Sequence, residues 1–116
     1  MSLVLIALHG ELFSRSALNA AFNYCRDMKF KVNVLLVDGG EAPQPILMDF
    51  LARLKQAGMS GCLDRQAGPL GRAVQRHASL YKDVRLILVD SMKHWGAGVP
   101  LRALKQPVGL LSGVAA

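Results

Sequence analysis

Three short apolar runs along the chain each stop abruptly at polar residues: Leu3–Leu8 (LVLIAL), Val32–Val37 (VNVLLV) and Val84–Val89 (VRLILV). Runs of this length with a sharp polar end predict buried strands of a parallel sheet, their C-terminal tips reaching solvent. The stops are His9-Gly10, Asp38-Gly39-Gly40 and Asp90-Ser91. Two weaker strands are expected: Gly61–Arg65, polar enough for a sheet edge, and Pro107–Ser112 (PVGLLS). Between the strands the apolar period changes to three and four, the period of a helix. After Ser14, a fair N-cap, Leu18, Ala21, Phe22, Cys25 and Met28 form one apolar face. Pro43 and Pro45 then mark a loop and a helix start, Leu47, Phe50, Leu51 and Leu54 the buried stripe, and Gly58 the C-cap. Gly68-Pro69 opens a third helix with Leu70, Ala73, Val74, His77 and Tyr81 inside, and Arg72 and Arg76 towards water. After a loop over Met92–Val99, Pro100–Lys105 allows one or two helical turns.

Strands alternating with helices over short connections predict an α/β fold, a three-layer sandwich with a mostly parallel five-stranded sheet and helices on both faces. Neither a linker nor an internal repeat interrupts the 116 residues, so a single domain over 1–116 is expected. Hydrophobic content of 52% with 19% charged residues excludes a disordered chain. No apolar run approaches the roughly 20 residues of a membrane span. The first run lacks a preceding basic residue and a following small-residue cleavage site, and so reads as a strand and not a signal peptide.

Cys25 and Cys62 fit neither a CxxC metal spacing nor a secreted disulfide framework, so no metal site is expected and a reduced, cytoplasmic protein is. The net charge of +6 is uneven: residues 59–116 carry eight Lys/Arg against three Asp/Glu. These charges are scattered, with neither a basic run nor interleaved aromatics, which argues against nucleic-acid binding. Cys25 and His77 lie on apolar helix faces, Cys25 reading as a small buried hydrophobe and His77 as a packed histidine at the core margin; Trp95 reads as a cover for the top of the core.

Taken in order, several pieces resemble the universal stress protein family over nearly the whole chain. His9-Gly10-Glu11 stands where that family has Asp-Gly-Ser, with Ser14, Ala17 and Leu18 in register behind it. Leu36-Val37 matches the Val-rich tip of its second strand, and Gly68-Pro69 its turn before the third helix. Arg85–Val89 is similar to its fourth strand, and Pro100-Leu-Arg102 with Pro107–Leu111 to its final helix and strand. The resemblance implies a Rossmann-like sheet of order 3-2-1-4-5, akin to the adenine nucleotide alpha hydrolases. It also implies a homodimer paired through the C-terminal strand, which would cover an otherwise open apolar edge.

That strand order puts a ligand crevice between the first and fourth strand tips, edged by His9, Gly10, Val37, Asp90 and Ser91. Family members that bind ATP carry Gly-x2-Gly-x9-Gly-Ser/Thr after the fourth strand, so that backbone N–H groups can approach the phosphates. Here Asp90 and Lys93 occupy the first two glycine positions and the loop is too short for the long spacing. Gly96 and Gly98 could stand for the last glycine, but Ala97 and Val99 follow without a hydroxyl, and His9 replaces the family's adenine-reading Asp. The expectation is therefore a non-enzymatic regulatory or interaction module of the stress response, with no cofactor and an unidentified protein partner. Two alternatives stay open. One is a nucleotide-binding protein with a degenerate loop, Lys93 and His94 leaving a cationic pocket for ATP, AMP or a smaller anion. The other is a small enzyme using His9 and Asp90 as a general-base pair.

Overall fold

A computed structural model describes residues 2–10, 14–40, 44–96 and 98–111. The elements are β1 (Leu3–His9), α1 (Arg15–Asp27), β2 (Lys31–Val37), α2 (Pro45–Gln56), β3 (Ser60–Gln66), α3 (Leu70–Leu80), β4 (Val84–Val89), one 3-10 turn (Leu101–Ala103) and β5 (Val108–Leu110). All strand pairs are parallel and the sheet order is β3-β2-β1-β4-β5, the order the resemblance implies.

Side-chain alternation along the central strands splits the core in two. Val4, Ile6 and Leu8 of β1 and Val32, Val34 and Leu36 of β2 pack against α1 and α2. Leu5, Ala7, Leu35 and Val37 point to the other face, where Leu70, Ala73 and Val74 of α3 meet Trp95 and Val99 from the β4–β5 connection. Cys25 is fully buried in the first core, which pushes its thiol up to about 11 and makes it an inert hydrophobe. Ser14 caps α1 as expected, its hydroxyl accepting the Ala17 N–H. Arg72 and Arg76 face water.

The structure departs from the sequence pattern in four places. Met28 lies beyond the last turn of α1 and is 53% exposed, because the chain is already turning there towards Lys29 with φ 61°. α3 ends at Leu80, and Tyr81 is its extended C-cap. The fourth helix shrinks to one 3-10 turn. β5 spans only Val108–Leu110, while Ser112 of the expected strand lies outside the described residues.

Since among the described residues no full helix covers the β4–β5 side of the α3 face, the loop does so. Trp95 is buried there, and its indole N–H donates to the Val99 carbonyl at 2.7 Å. Gly71 admits the ring: a Cβ at that position would stand 2.7 Å from Trp95 Nε1 and 2.9 Å from its carbonyl oxygen. The second core also holds a polar set. His77 is fully buried on α3, with Nε2 3.3 Å from Asn33 Nδ2, while Asn33 Oδ1 accepts the Cys62 N–H at 3.0 Å. His77 is thus packed as expected, but deeper than the core margin.

Candidate functional site

The strand order makes the gap between the tips of β1 and β4 the topological switch point, where α/β sheets ordinarily receive ligands. His9 ends β1, and Gly10, at φ 64°, turns the chain away while its N–H donates to the Val37 carbonyl at 2.7 Å. Val37 itself is wholly buried at the end of β2. Asp90 and Ser91 follow β4. The Ser91 hydroxyl accepts the Lys93 N–H at 3.1 Å, and the Trp95 N–H closes the next turn onto the Met92 carbonyl at 3.1 Å. Ser91 therefore serves to fold the loop back over the sheet.

That fold-back brings the chain's own side chains to the crevice. The ring of His94 stacks on that of His9 with centroids 3.9 Å apart and planes 12° from parallel. Trp95 goes beneath, into the α3 core. The carbonyls of His94 and Trp95 accept the N–H groups of Leu70 and Gly71, at 3.2 and 2.9 Å. Two first-turn N–H groups of α3, which could otherwise face an anion, are thus taken. Gly96 and Gly98 are drawn to α3 as well: Gly96 packs on Pro69, and Gly98 lies against the Arg72 guanidinium in a groove on the helix's outer flank.

Asp38, absent from the expected crevice set, proves central to it, as does His94, which the sequence offered only as part of a cationic pocket. Asp38 sits just beyond β2 with φ 55°, a left-handed conformation that Asp tolerates better than most residues. Its Oδ1 accepts the Gly68 N–H at 3.1 Å, and its Oδ2 lies 3.4 Å from His9 Nε2. The polar stop Asp38-Gly39-Gly40 was the sequence signal for this position, but nothing in it pointed Asp38 at His9. Among the described residues the carboxylate within ion-pair distance of His9 belongs to Asp38, whereas the sequence had suggested Asp90.

Asp90 is half-buried, and among the described residues its Oδ1 has no hydrogen-bond partner. Burial raises its pKa, while nearby backbone N–H groups of His9 and Ser91 and the charge of His9 pull the other way. A carboxyl whose pKa is raised in the fold binds its proton more tightly there than in the unfolded chain. Stability consequently falls as pH rises from the unfolded value of 3.8 through the folded pKa, and stays lowered above it. Asp90→Asn is expected to stabilise the protein at pH 7 by on the order of 1 kcal/mol, the low end for a buried unpaired polar group because solvent still screens this one. Urea unfolding at pH 7 and again below pH 4 checks this, since the gain should vanish in acid. An equal gain at both pH values would show that the charge is not its source.

Chemically, this arrangement holds an imidazole pair beside two carboxyls and presents no free cradle of N–H groups among the described residues. No protein-family profile matches the sequence, and no curated protein matches it. Among solved structures, a protein from the universal stress protein family from Burkholderia pseudomallei superposes with a TM-score of 0.62 at 21% identity, over 94% of each chain. At that identity the likeness is one of fold.

Proposed function

We propose that the protein is a non-enzymatic regulatory and interaction module of the universal stress protein type, acting in the cytoplasm as a homodimer and not binding ATP in the usual way. One observation carries this reading: the switch-point crevice is furnished with the chain's own His94, and the α3 N–H groups beside it are bonded to the loop's carbonyls. The half-buried Asp90 carboxyl adds repulsion where a phosphate would approach. Among the described residues no helix is long and apolar enough to cross a membrane, which is compatible with this setting.

The two sheet edges support the dimer. β3 carries Asp64, Arg65 and Gln66, charged and polar groups of the kind that discourage edge pairing. β5 offers Val108, Gly109 and Leu110, and Leu110 is 43% exposed. Pairing of β5 with its counterpart in a second copy would cover that apolar edge through an isologous contact. Leu110→Lys places a charge in the middle of this contact and is expected to halve the mass seen by sedimentation equilibrium, with the far-UV circular dichroism unchanged. A wild-type protein that runs as a monomer, or a variant that stays dimeric, would overturn the dimer.

A further inference from the structure

Away from the crevice, β3 and α3 bring together three side chains that the proposed function does not use. Cys62 and Asp64 stand two apart on β3 and so project to the same face, the one covered by α3. His77 of α3 meets them there. One donor atom from each of the three lies within 4.8 Å of the other two. His77 Nδ1 is 3.0 Å from Asp64 Oδ2, an ion-pair distance, but among the described residues no partner meets it in hydrogen-bond geometry. A fully buried imidazole nitrogen set between a carboxylate and a thiol, with no well-directed hydrogen bond to either, is placed to share a cation with them. Cys62, Asp64 and the neighbouring Tyr81, whose ring stacks on His77 at 4.5 Å, are all partly exposed, so that cation has a path from solvent.

We propose that Cys62, Asp64 and His77 form a binding site for a divalent transition metal of the zinc class, with a fourth position open towards Tyr81 and solvent. One thiolate, one imidazole and one carboxylate are a donor set that suits zinc, and donors already this close need only small shifts to reach tetrahedral distances. Magnesium and calcium, which require oxygen donors, are poorly matched to it.

The site carries its own outer shell, and that shell must move. In the metal-free protein Asn33 Oδ1 is held by the Cys62 N–H, which turns its NH2 group towards His77 Nε2. Nε2 therefore accepts, and the proton sits on Nδ1. A metal on Nδ1 takes the place of that proton, so the neutral ring carries its proton on Nε2, which then needs an acceptor, while the Cys62 thiol gives its own proton to solvent on becoming the thiolate ligand. The Asn33 amide has to turn its oxygen to Nε2–H and release one backbone N–H on an edge strand. The loss of that hydrogen bond is small beside three metal–ligand bonds, so binding prevails. It also makes a distinctive prediction. Asn33→Asp supplies a carboxylate that can accept from both Nε2–H and the Cys62 N–H, completing a carboxylate–histidine–metal arrangement.

The test is a titration of chelator-treated full-length protein with Co2+, read by absorbance and by native mass spectrometry, followed by displacement with Zn2+. One Co2+ per chain is expected, with a thiolate-to-cobalt charge-transfer band. Cys25 is sealed in the core, so this band reports Cys62. Cys62→Ser should abolish it, Asp64→Asn should weaken binding by about 10-fold or more, and Asn33→Asp should tighten it by about 10-fold. Because Cys62 and Asp64 are partly exposed, their variants should keep the wild-type circular dichroism even where a His77 variant does not fold. Absence of stoichiometric Co2+, a band that survives in Cys62→Ser, or affinity that does not change in Asp64→Asn would each overturn the site.

Discussion

Trp95→Ala is expected to lower folding stability by about 3–5 kcal/mol, the range for truncating a large aromatic side chain in a core. The indole is 6% exposed and packs with Leu70, Val89 and Val99 over the half of the sheet that lacks a fourth helix. Its loss removes apolar contact from that whole corner and leaves the buried Val99 carbonyl without its donor. The loop around it also caps α3 through the carbonyls of His94 and Trp95, so a loosened loop frays the helix start too. Urea unfolding followed by far-UV circular dichroism is the suitable readout, because Trp95 is the chain's one tryptophan and the variant has no indole fluorescence. A loss below about 1 kcal/mol, typical of a surface change, would mean that the loop does not stand in for the missing helix.

Asn33→Leu is expected to cost roughly 2–4 kcal/mol although it keeps the branched heavy-atom skeleton of the side chain. Asn33 is 2% exposed, and its two ends serve two elements: Oδ1 holds the Cys62 N–H of β3, and Nδ2 holds Nε2 of His77 on α3. Leucine leaves both partners unpaired, each at about 1–3 kcal/mol, the Cys62 N–H at the lower end because it is only part-buried. The same bonds fit the β-bulge in the β2–β3 pairing, where the register shifts between Val32 and Val34. Amide hydrogen exchange should therefore show the Cys62 N–H losing protection well before those of β1. Wild-type stability with a still-protected Cys62 amide would show that Asn33 is not what holds β3 to α3.

The architecture was legible because its central strands bury both faces. β1, β2 and β4 had to read as apolar runs, interrupted only at Asn33 and Arg85, and the helices had to read at their own period. Element ends were less legible. Met28 continues the apolar period of α1, yet the helix has already stopped there, since local backbone geometry and not hydrophobicity ends it. The fourth helix was overestimated for a different reason: Trp95 packs from a loop and takes over the burial a helix would have provided. The positions of His9, Val37 and Asp90 at the strand tips were legible, because a polar stop marks where a strand ends. The Asp38–His9 contact and the His94 stack were not, since both depend on how turns fold back in three dimensions. The Cys62, Asp64 and His77 cluster was invisible to spacing rules, as its donors come from a strand and from the following helix and meet only once α3 has crossed the sheet.

The central claim is that the crevice between β1 and β4 is furnished by the protein itself and does not take a nucleotide. Native mass spectrometry of the freshly purified protein, alone and then with millimolar ATP and magnesium, tests it most directly. The account predicts an unchanged mass in both. A stoichiometric nucleotide adduct, whether carried through purification or formed on addition, would contradict it and make the protein a nucleotide-binding member of this fold with a rebuilt phosphate site.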